Sequence, residues 1–224
     1  LGLPARAQVA PPPAPALDPA LVTTRLAAAL EHLETLFSTY RPDSALSRFN
    51  ASSSTDWYPV SRELARVALE ARRISELTAG AFDVTLDPLI RLWGFGPAGR
   101  RHTLPPDTAI TAARGRVDYR RLSARISPPA LRKSSADLSA DFSSLAKGFA
   151  ADTLSDLLTA LGAPDHFVQI GGDLKTAGAH PWRTGIESPP VLAVPAAPRP
   201  TATPAPPALA TPADRRWCGA HGAR

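Results

Sequence analysis

Residues 141–152, DFSSLAKGFAAD, place an acid, two hydroxyls, a cation and a glycine where a helix is predicted to begin. The first amides of a helix lack partners within it and carry partial positive charge, so this end attracts phosphate. Lys147 adds a positive charge, whereas Asp141 opposes an anion unless a divalent cation lies between them. Magnesium is held by a few oxygen ligands and substrate phosphates, so these residue types indicate a site for a metal and a phosphorylated ligand. The alternative is that Asp141 and Ser143 only cap the helix and Lys147 is solvated.

Four further segments accompany this one along the chain. In order, the five are FSTYRPDSALSRFN (37–50), GAFDVTLDPLIRLWGFGP (80–97), DFSSLAKGFAAD (141–152), VQIGGDLKTAG (168–178) and PWRTGIESP (181–189). Together they resemble the family of FAD:protein FMN transferases, also called the ApbE flavin transferases, over about residues 20–190. One segment alone, such as the bare GGD, is a weak signal, whereas five in register are specific.

The resemblance implies a magnesium-dependent enzyme that takes FAD as its substrate. Such an enzyme moves the FMN half of FAD onto a threonine hydroxyl of an acceptor protein as a phosphoester and releases AMP. In phosphoryl transfer the protein chiefly positions groups and neutralises charge, which agrees with the chemistry of the helix start. By position in the motifs, Ser144 supplies an oxygen to Mg²⁺ through its carbonyl or hydroxyl. The residues implied on the FAD side are Tyr40, Ala81, Phe82, Asp83, Asp141 and Lys147.

Several of these residues have a second interpretation. Tyr40 ends an apolar stripe and is equally compatible with the edge of a core. Phe82 suits core packing, with only the backbone of its triplet touching a ligand. Asp83 suits the cap of a turn, the commonest use of an aspartate between two elements.

Hydrophobic periodicity predicts the elements that position these residues. Spacings of three and four predict helices over about 19–40, 61–80 and 145–161, and Asp87-Pro88 opens a short fourth helix. Residues 82–86 alternate and fit a short strand or an extended turn. Strands are also predicted over residues 117–126 and 136–142, followed by a hairpin over residues 166–178 and a last strand from Trp182. Helices and antiparallel hairpins in this order predict an α+β fold, a single mixed domain of antiparallel sheet with packed helices.

Composition excludes several classes of protein. The formal net charge is +5, of which +3 lies in residues 191–224, and no basic run alternates with aromatics. A nucleic-acid partner is therefore not expected. No run of eighteen apolar residues is present, so the chain is not expected to span a membrane. The one cysteine, Cys218, excludes a disulfide within the chain.

The two ends differ from the middle, and the sequence predicts three regions. Residues 1–19 combine an Ala5-Arg6-Ala7 pattern, read as the stump of an export signal, with a proline-rich segment, which predicts an exported, periplasmic or cell-envelope protein. Residues 20–190 are the flavin transferase-like domain. Residues 191–224, rich in proline and alanine, are predicted to be disordered and unrelated to the family.

The resemblance ends at Pro189, before the segments that complete the magnesium site in the family. Two hypotheses of different class therefore remain open from the sequence. In one, the chain belongs to a magnesium-dependent flavin transferase. In the other it is a non-catalytic fragment that binds FAD or another nucleotide, with transfer far below that of a complete family member. An unrelated interaction domain is a third possibility.

Overall fold

A computed structural model of the chain describes residues 4–10, 17–96, 99, 103–185, 201–202 and 209–210. It divides into two units: unit 1 is Leu30–Ala146, and unit 2 comprises the described parts of Gly2–Ala29 and Lys147–Arg224. The helices are α1 (Pro19–Phe37), α2 (Ala45–Ala51), α3 (Arg62–Leu77), α4 (Asp87–Leu92), α5 (Asp107–Arg114) and α6 (Ser143–Ala160), with a 3₁₀ turn at Tyr119–Arg121. The strands are β1 (Ala5–Val9), β2 (Tyr58–Pro59), β3 (Leu122–Ile126), β4 (Pro129–Lys133), β5 (His166–Ile170), β6 (Asp173–Ala177), β7 (Thr184–Gly185), β8 (Thr201–Ala202) and β9 (Leu209–Ala210).

Unit 1 is built on an antiparallel three-stranded sheet in the order β2-β4-β3. Helix α3 packs against β3 and β4 because its apolar residues recur at three and four and form one buried face. The side chain of Ser61 caps the helix by accepting a hydrogen bond from the Leu64 amide at 3.2 Å. After α3 the chain turns through Ala79 and Gly80, both with positive φ, and the turn leads into residues 81–87.

Unit 2 contains an antiparallel sheet in the order β1-β5-β6-β9 and the small pair β7-β8. The hairpin between β5 and β6 turns at Gly171, whose φ of 58° favours glycine. The long helix α6 begins at the end of unit 1 and continues into unit 2. None of the helices in the described ranges combines the length and hydropathy that crossing a bilayer requires.

The predicted α+β class is confirmed, and so are the four predicted helices and the hairpin. Residues 82–86 adopt the turn rather than the strand. The prediction of a strand over 136–142 is wrong, since this segment is irregular, and β4 precedes it. Helices α2 and α5 and strands β1, β2 and β4 were not predicted.

The predicted end regions are only partly described. Residues 5–9, which include the Ala5-Arg6-Ala7 pattern, form β1 and pair with β5 along its whole length. Most of the proline-rich segment of residues 10–19 and most of the predicted tail of residues 191–224 lie outside the described residues. Within that tail, β9 pairs with β6 and β8 with β7.

Candidate flavin-nucleotide site

The start of helix α6, defined here as Asp141–Ser144, presents polar groups on a rigid base. Phe142 is fully buried, and its carbonyl accepts hydrogen bonds from the Leu145 and Ala146 amides at 2.9 and 2.8 Å. Asp141 Oδ1 accepts a hydrogen bond from the Ser143 amide at 2.7 Å. Within the described residues, the Ser144 amide has no acceptor, and its hydroxyl is exposed. One helix-start amide is therefore available to an anion.

Helix α2 holds the segment that leads into this helix start. The Asn50 side chain bonds to Ala140 in both directions, donating to its carbonyl at 2.8 Å and accepting from its amide at 2.9 Å. The ammonium of Lys133, on β4, donates to the carbonyls of Phe49 and Asn50 at 3.3 and 3.1 Å and to that of Leu138 at 3.3 Å. The end of α2 and residues 138–140 are thus joined through two side chains.

Lys133 is a fully buried cation whose hydrogen bonds among the described residues all go to carbonyls, and its ammonium lies 5.4 Å from the centroid of the Phe49 ring. Burial lowers the pKa of its ammonium below the usual 10.5, and the carboxylate of Asp137 partly opposes that shift. Its three N–H donors match three carbonyls, so the group is saturated by the fold and unavailable to a ligand. The sequence analysis missed this residue, because a single lysine at the end of a strand normally indicates an exposed position.

The second motif segment is joined to the same helix start. The Asp141 amide donates to the Val84 carbonyl at 2.8 Å. The buried Asp87 carboxylate accepts from Ser139 Oγ at 2.6 Å and from Arg91 Nε at 2.8 and 2.9 Å. Parts of the three motif segments 37–50, 80–97 and 141–152 therefore meet within unit 1.

Asp83 has a different environment from Asp141. Its Oδ1 accepts from both the amide and the hydroxyl of Thr85 at 2.7 Å, and its Oδ2 accepts from the Tyr119 amide at 2.9 Å. The Thr85 hydroxyl in turn accepts from the Asp118 amide at 2.9 Å. These bonds fasten the loop of residues 81–87 to the 3₁₀ turn, which is the turn-capping role left open for Asp83. A direct contact between Asp83 and FAD remains a prediction.

The other residues predicted on the FAD side are accessible. Tyr40 is 68% exposed, so it is not part of the core. Ala81 is exposed and Phe82 is half-buried, and both are fixed through their amides to Thr78. No hydrogen bond among the described residues joins Tyr40 to residues 81–83 or to the start of α6; its amide donates to Ser38 Oγ.

Further along α6, Lys147 and Gly148 belong to unit 2. Lys147 is half-buried and has no hydrogen bond or ion pair with any described residue. A Cβ built on Gly148 meets no atom within 4 Å. The glycine is therefore not required by packing in this part of the helix, although it costs helix stability relative to alanine.

The oxygen donors at the start of α6 suit magnesium, with a small protein contribution. Asp141 has one carboxylate oxygen without a donor among the described residues, and Ser144 adds a hydroxyl and a carbonyl. In the described ranges no group of three or more His, Cys, Asp or Glu side chains is placed to hold a metal. These two residues therefore fit an ion held largely by substrate phosphates and water, as is typical of Mg²⁺.

Unit 2 contains a serine–histidine pair that resembles catalytic machinery but is part of the core. His166 and Ser155 are both buried, and Ser155 Oγ lies 2.8 Å from His166 Nε2. His166 Nδ1 lies 2.7 Å from the Ala163 carbonyl, which only accepts, so Nδ1 carries the proton and donates. His166 lies within β5, the first strand of the predicted hairpin.

Comparison with solved structures places this α+β fold among the flavin transferases. The model of the ApbE family matches residues 1–219, and the chain belongs to that family. The FAD:protein FMN transferase of Vibrio cholerae is 38% identical over 178 residues, which cover 78% of this chain and 53% of that protein. The corresponding protein of Salmonella typhimurium is 37% identical over 172 residues, or 74% of this chain and 49% of that protein. The solved structure of the Vibrio cholerae flavin transferase ApbE superposes with a TM-score of 0.84 and 32% identity, covering 99% of this chain and 74% of that one.

Two features of these matches bear on the sequence analysis. The chain spans about half the length of the curated relatives it matches. The family match also continues to residue 219, beyond Pro189, where the sequence analysis ends the resemblance.

Proposed function

We propose that this protein binds FAD and transfers its FMN half to a threonine hydroxyl of an acceptor protein. The observation that carries the proposal is the start of α6, where three motif segments meet and the Ser144 amide, the Ser144 hydroxyl and one Asp141 oxygen have no partners among the described residues. Relatives over most of the chain are named FAD:protein FMN transferases. Family membership and open polar groups together support a flavin-nucleotide site.

The proposed reaction is a displacement at phosphorus. The threonine oxygen forms a bond to the phosphorus of the FMN half, and the pyrophosphate P–O bond to the AMP half breaks. AMP leaves with the electron pair of that bond, and the hydroxyl proton passes to solvent. Charge develops on phosphate oxygens during this step, and an enzyme accelerates it mainly through preorganised donors and cations.

Residues of this chain stabilise the charge on the phosphate oxygens in three ways. The free Ser144 amide donates to a phosphate oxygen at the positive end of the α6 dipole. Lys147, which has no partner among the described residues, adds a full positive charge on the next turn of the same helix. Asp141 and Ser144 are the residues that would hold Mg²⁺, which would neutralise phosphate charge.

The flavin or adenosine portion of FAD needs apolar surface. Phe82 is half-buried and Tyr40 is exposed, so both rings are accessible to a planar ligand. Ala81 contributes an exposed backbone with a small side chain. We assign these three residues to ring contacts, and Asp83 holds the loop that carries Ala81 and Phe82.

A transfer assay tests the proposal directly. The purified chain is incubated with FAD, MgCl₂ and a protein carrying an accessible threonine, and flavin is followed by in-gel fluorescence while AMP is quantified. We expect covalent fluorescence and AMP to appear in equal amounts and to depend on magnesium. Asp141→Ala should lower the rate by about a hundredfold, as for the loss of one electrostatic stabiliser.

Two results contradict the proposal in different ways. Tight FAD binding without transfer to any threonine supports the non-catalytic nucleotide-binding alternative. Transfer at an undiminished rate in Asp141→Ala removes the start of α6 from the reaction. A matched variant, Asp156→Ala, further along α6, controls for loss of a carboxylate from the helix.

We further propose that the protein acts after export, in the periplasm or at the cell envelope. The support is the Ala5-Arg6-Ala7 pattern alone. Fractionation of cells that express the full gene, with detection of the protein in the periplasmic or envelope fraction, tests it. Recovery in the cytoplasm alone rejects it.

A further inference from the structure

The positive charge of this chain is concentrated in one segment of unit 1. Residues 113–133 contain seven arginines and lysines and one acid, Asp118, for a net charge of +6. The whole chain has a net charge of +5, so the other residues together are close to neutral. This segment includes the 3₁₀ turn and the hairpin of β3 and β4.

Two of these arginines share one aromatic ring. The guanidinium carbons of Arg125 and Arg132 lie 4.4 and 4.8 Å from the centroid of the Trp57 indole. Pairing of β2 with β4 places Trp57 opposite Arg132, and Arg125 reaches the same ring from β3. We call these three residues the Arg–Trp–Arg cluster.

The cluster lacks the acid partners that its neighbours have. Arg120 pairs with Asp118 at 3.5 Å, and Arg121 pairs with Asp137 at 3.6 Å. Among the described residues no carboxylate forms an ion pair with Arg125 or Arg132, and the buried Nε of Arg125 has no hydrogen-bond acceptor. Two like charges on one ring repel each other, and an external carboxylate that pairs with the guanidinium groups offsets that repulsion.

We infer that the Arg–Trp–Arg cluster is a docking surface for an acidic segment of the acceptor protein. This inference rests on the proposed function, which supplies a polypeptide partner. A nucleic acid is less suited, because guanidinium groups already cover the Trp57 ring on which a base would stack. An anionic membrane is less suited as well, since none of the large exposed hydrophobic residues falls within 113–133.

Binding of two labelled peptides to the full chain tests the docking surface. Each peptide carries one threonine, flanked in one by aspartate and glutamate and in the other by asparagine and glutamine. Fluorescence anisotropy should show binding of the acidic peptide that weakens with salt, and little binding of the amide peptide. The double variant Arg125→Glu/Arg132→Glu should bind the acidic peptide with an affinity lower by about tenfold or more.

Matched variants keep the test specific. Arg66→Glu, at an exposed position of α3, changes the charge in the same sense and should alter binding by less than about twofold. The milder Arg125→Gln/Arg132→Gln should show an intermediate loss and guards against misfolding of the charge-reversed protein. Equal losses in Arg66→Glu, or equal binding of both peptides by the wild type, overturn the inference.

Two further probes and one separate readout decide the class of partner. One alternative outcome is that the wild type binds a single-stranded oligonucleotide or phosphatidylserine vesicles more tightly than the acidic peptide. If the double variant then loses that binding, the surface belongs to that partner and the acceptor protein is rejected. FAD affinity of the double variant should equal that of the wild type. If the wild type binds the acidic peptide but not FAD, the proposed function is rejected and the docking surface is retained.

Discussion

The loop of residues 81–87 and the start of α6 each carry a carboxylate that the sequence predicts to face FAD, yet their surroundings differ. Asp83 accepts three hydrogen bonds from Thr85 and Tyr119, whereas Asp141 accepts one, from Ser143. The two lysines near these regions differ in the same way. Lys133 is saturated by three carbonyls, and Lys147 has no partner in the described chain. The number of internal partners, and not the residue type, separates a structural charge from one available to a ligand.

The largest effect on this comparison is expected from Asp83→Ala. The substitution leaves the Thr85 amide, the Thr85 hydroxyl and the Tyr119 amide without their acceptor, which should cost about 3 kcal/mol of unfolding free energy. Urea denaturation measures the loss. Asp56→Ala, at an exposed position, is the control and should cost less than about 0.5 kcal/mol. Equal losses in the two variants mean that Asp83 does not hold its loop.

Lys133→Met tests the structural role of the buried lysine. Three buried carbonyls lose their donor while the cost of burying a charge disappears, so we expect a net loss of about 2 kcal/mol at neutral pH. Burial lowers the pKa of Lys133 in the folded state, so the unfolded chain binds more protons between that lowered pKa and the usual 10.5. The stability of the wild type relative to Lys133→Met should therefore rise with pH across this window. A difference that stays constant or falls with pH contradicts burial of an ionised lysine.

Lys147→Ala examines the cation without an internal partner. Because Lys147 supports no other described group, its removal should leave stability nearly unchanged and weaken FAD binding by about tenfold. Lys175→Ala is the matched control, since Lys175 pairs with Asp152 at 2.8 Å. Fluorescence quenching of FAD gives both affinities. A loss of stability in Lys147→Ala, with FAD affinity intact, places Lys147 among the structural charges instead.

The smallest effect is expected from Gly148→Ala, for which stability and FAD affinity should change in opposite directions. Alanine replaces glycine within a helix and meets open space, so stability should rise by about 0.5–1 kcal/mol. If the ligand approaches this part of α6, the same methyl group should weaken FAD binding. Thermal unfolding and FAD titration of one protein sample check both. Higher stability with unchanged FAD affinity would show that the ligand does not contact Gly148.

Local sequence patterns predicted the parts of the fold that depend on local physics. The apolar spacing in α3 and α6 and the glycine turn of the β5–β6 hairpin each express a preference contained within a few residues. Strand β1 was missed because its partner, β5, lies about 160 residues away and its own alternation is weak. Helix α2 was missed because it is only seven residues long: its buried residues, Leu46 and Phe49, make a single spacing of three, and the Ser44 cap and the Lys133 bonds also stabilise it.

For the candidate site, too, the sequence predicted the local features and missed the contacts between distant segments. Residue types indicated a phosphate-attracting helix start, because capping and helix-end charge are local properties. The division of work between Asp83 and Asp141 depends on donors that lie far along the chain, such as the Tyr119 amide 36 residues after Asp83. The Arg–Trp–Arg cluster likewise depends on strand pairing between segments about 70 residues apart, so no local pattern indicates it.

Titration of FAD into the folded variants Asp141→Ala and Asp83→Asn, beside the wild type and with saturating magnesium, tests the central comparison most directly. Asparagine at position 83 keeps an acceptor oxygen for the loop, whereas alanine at position 141 removes the open carboxylate. We predict that Asp141→Ala loses at least about tenfold in FAD affinity while Asp83→Asn stays within about twofold of the wild type. Wild-type affinity in Asp141→Ala together with a large loss in Asp83→Asn would contradict the assignment of the start of α6 as the flavin-nucleotide site.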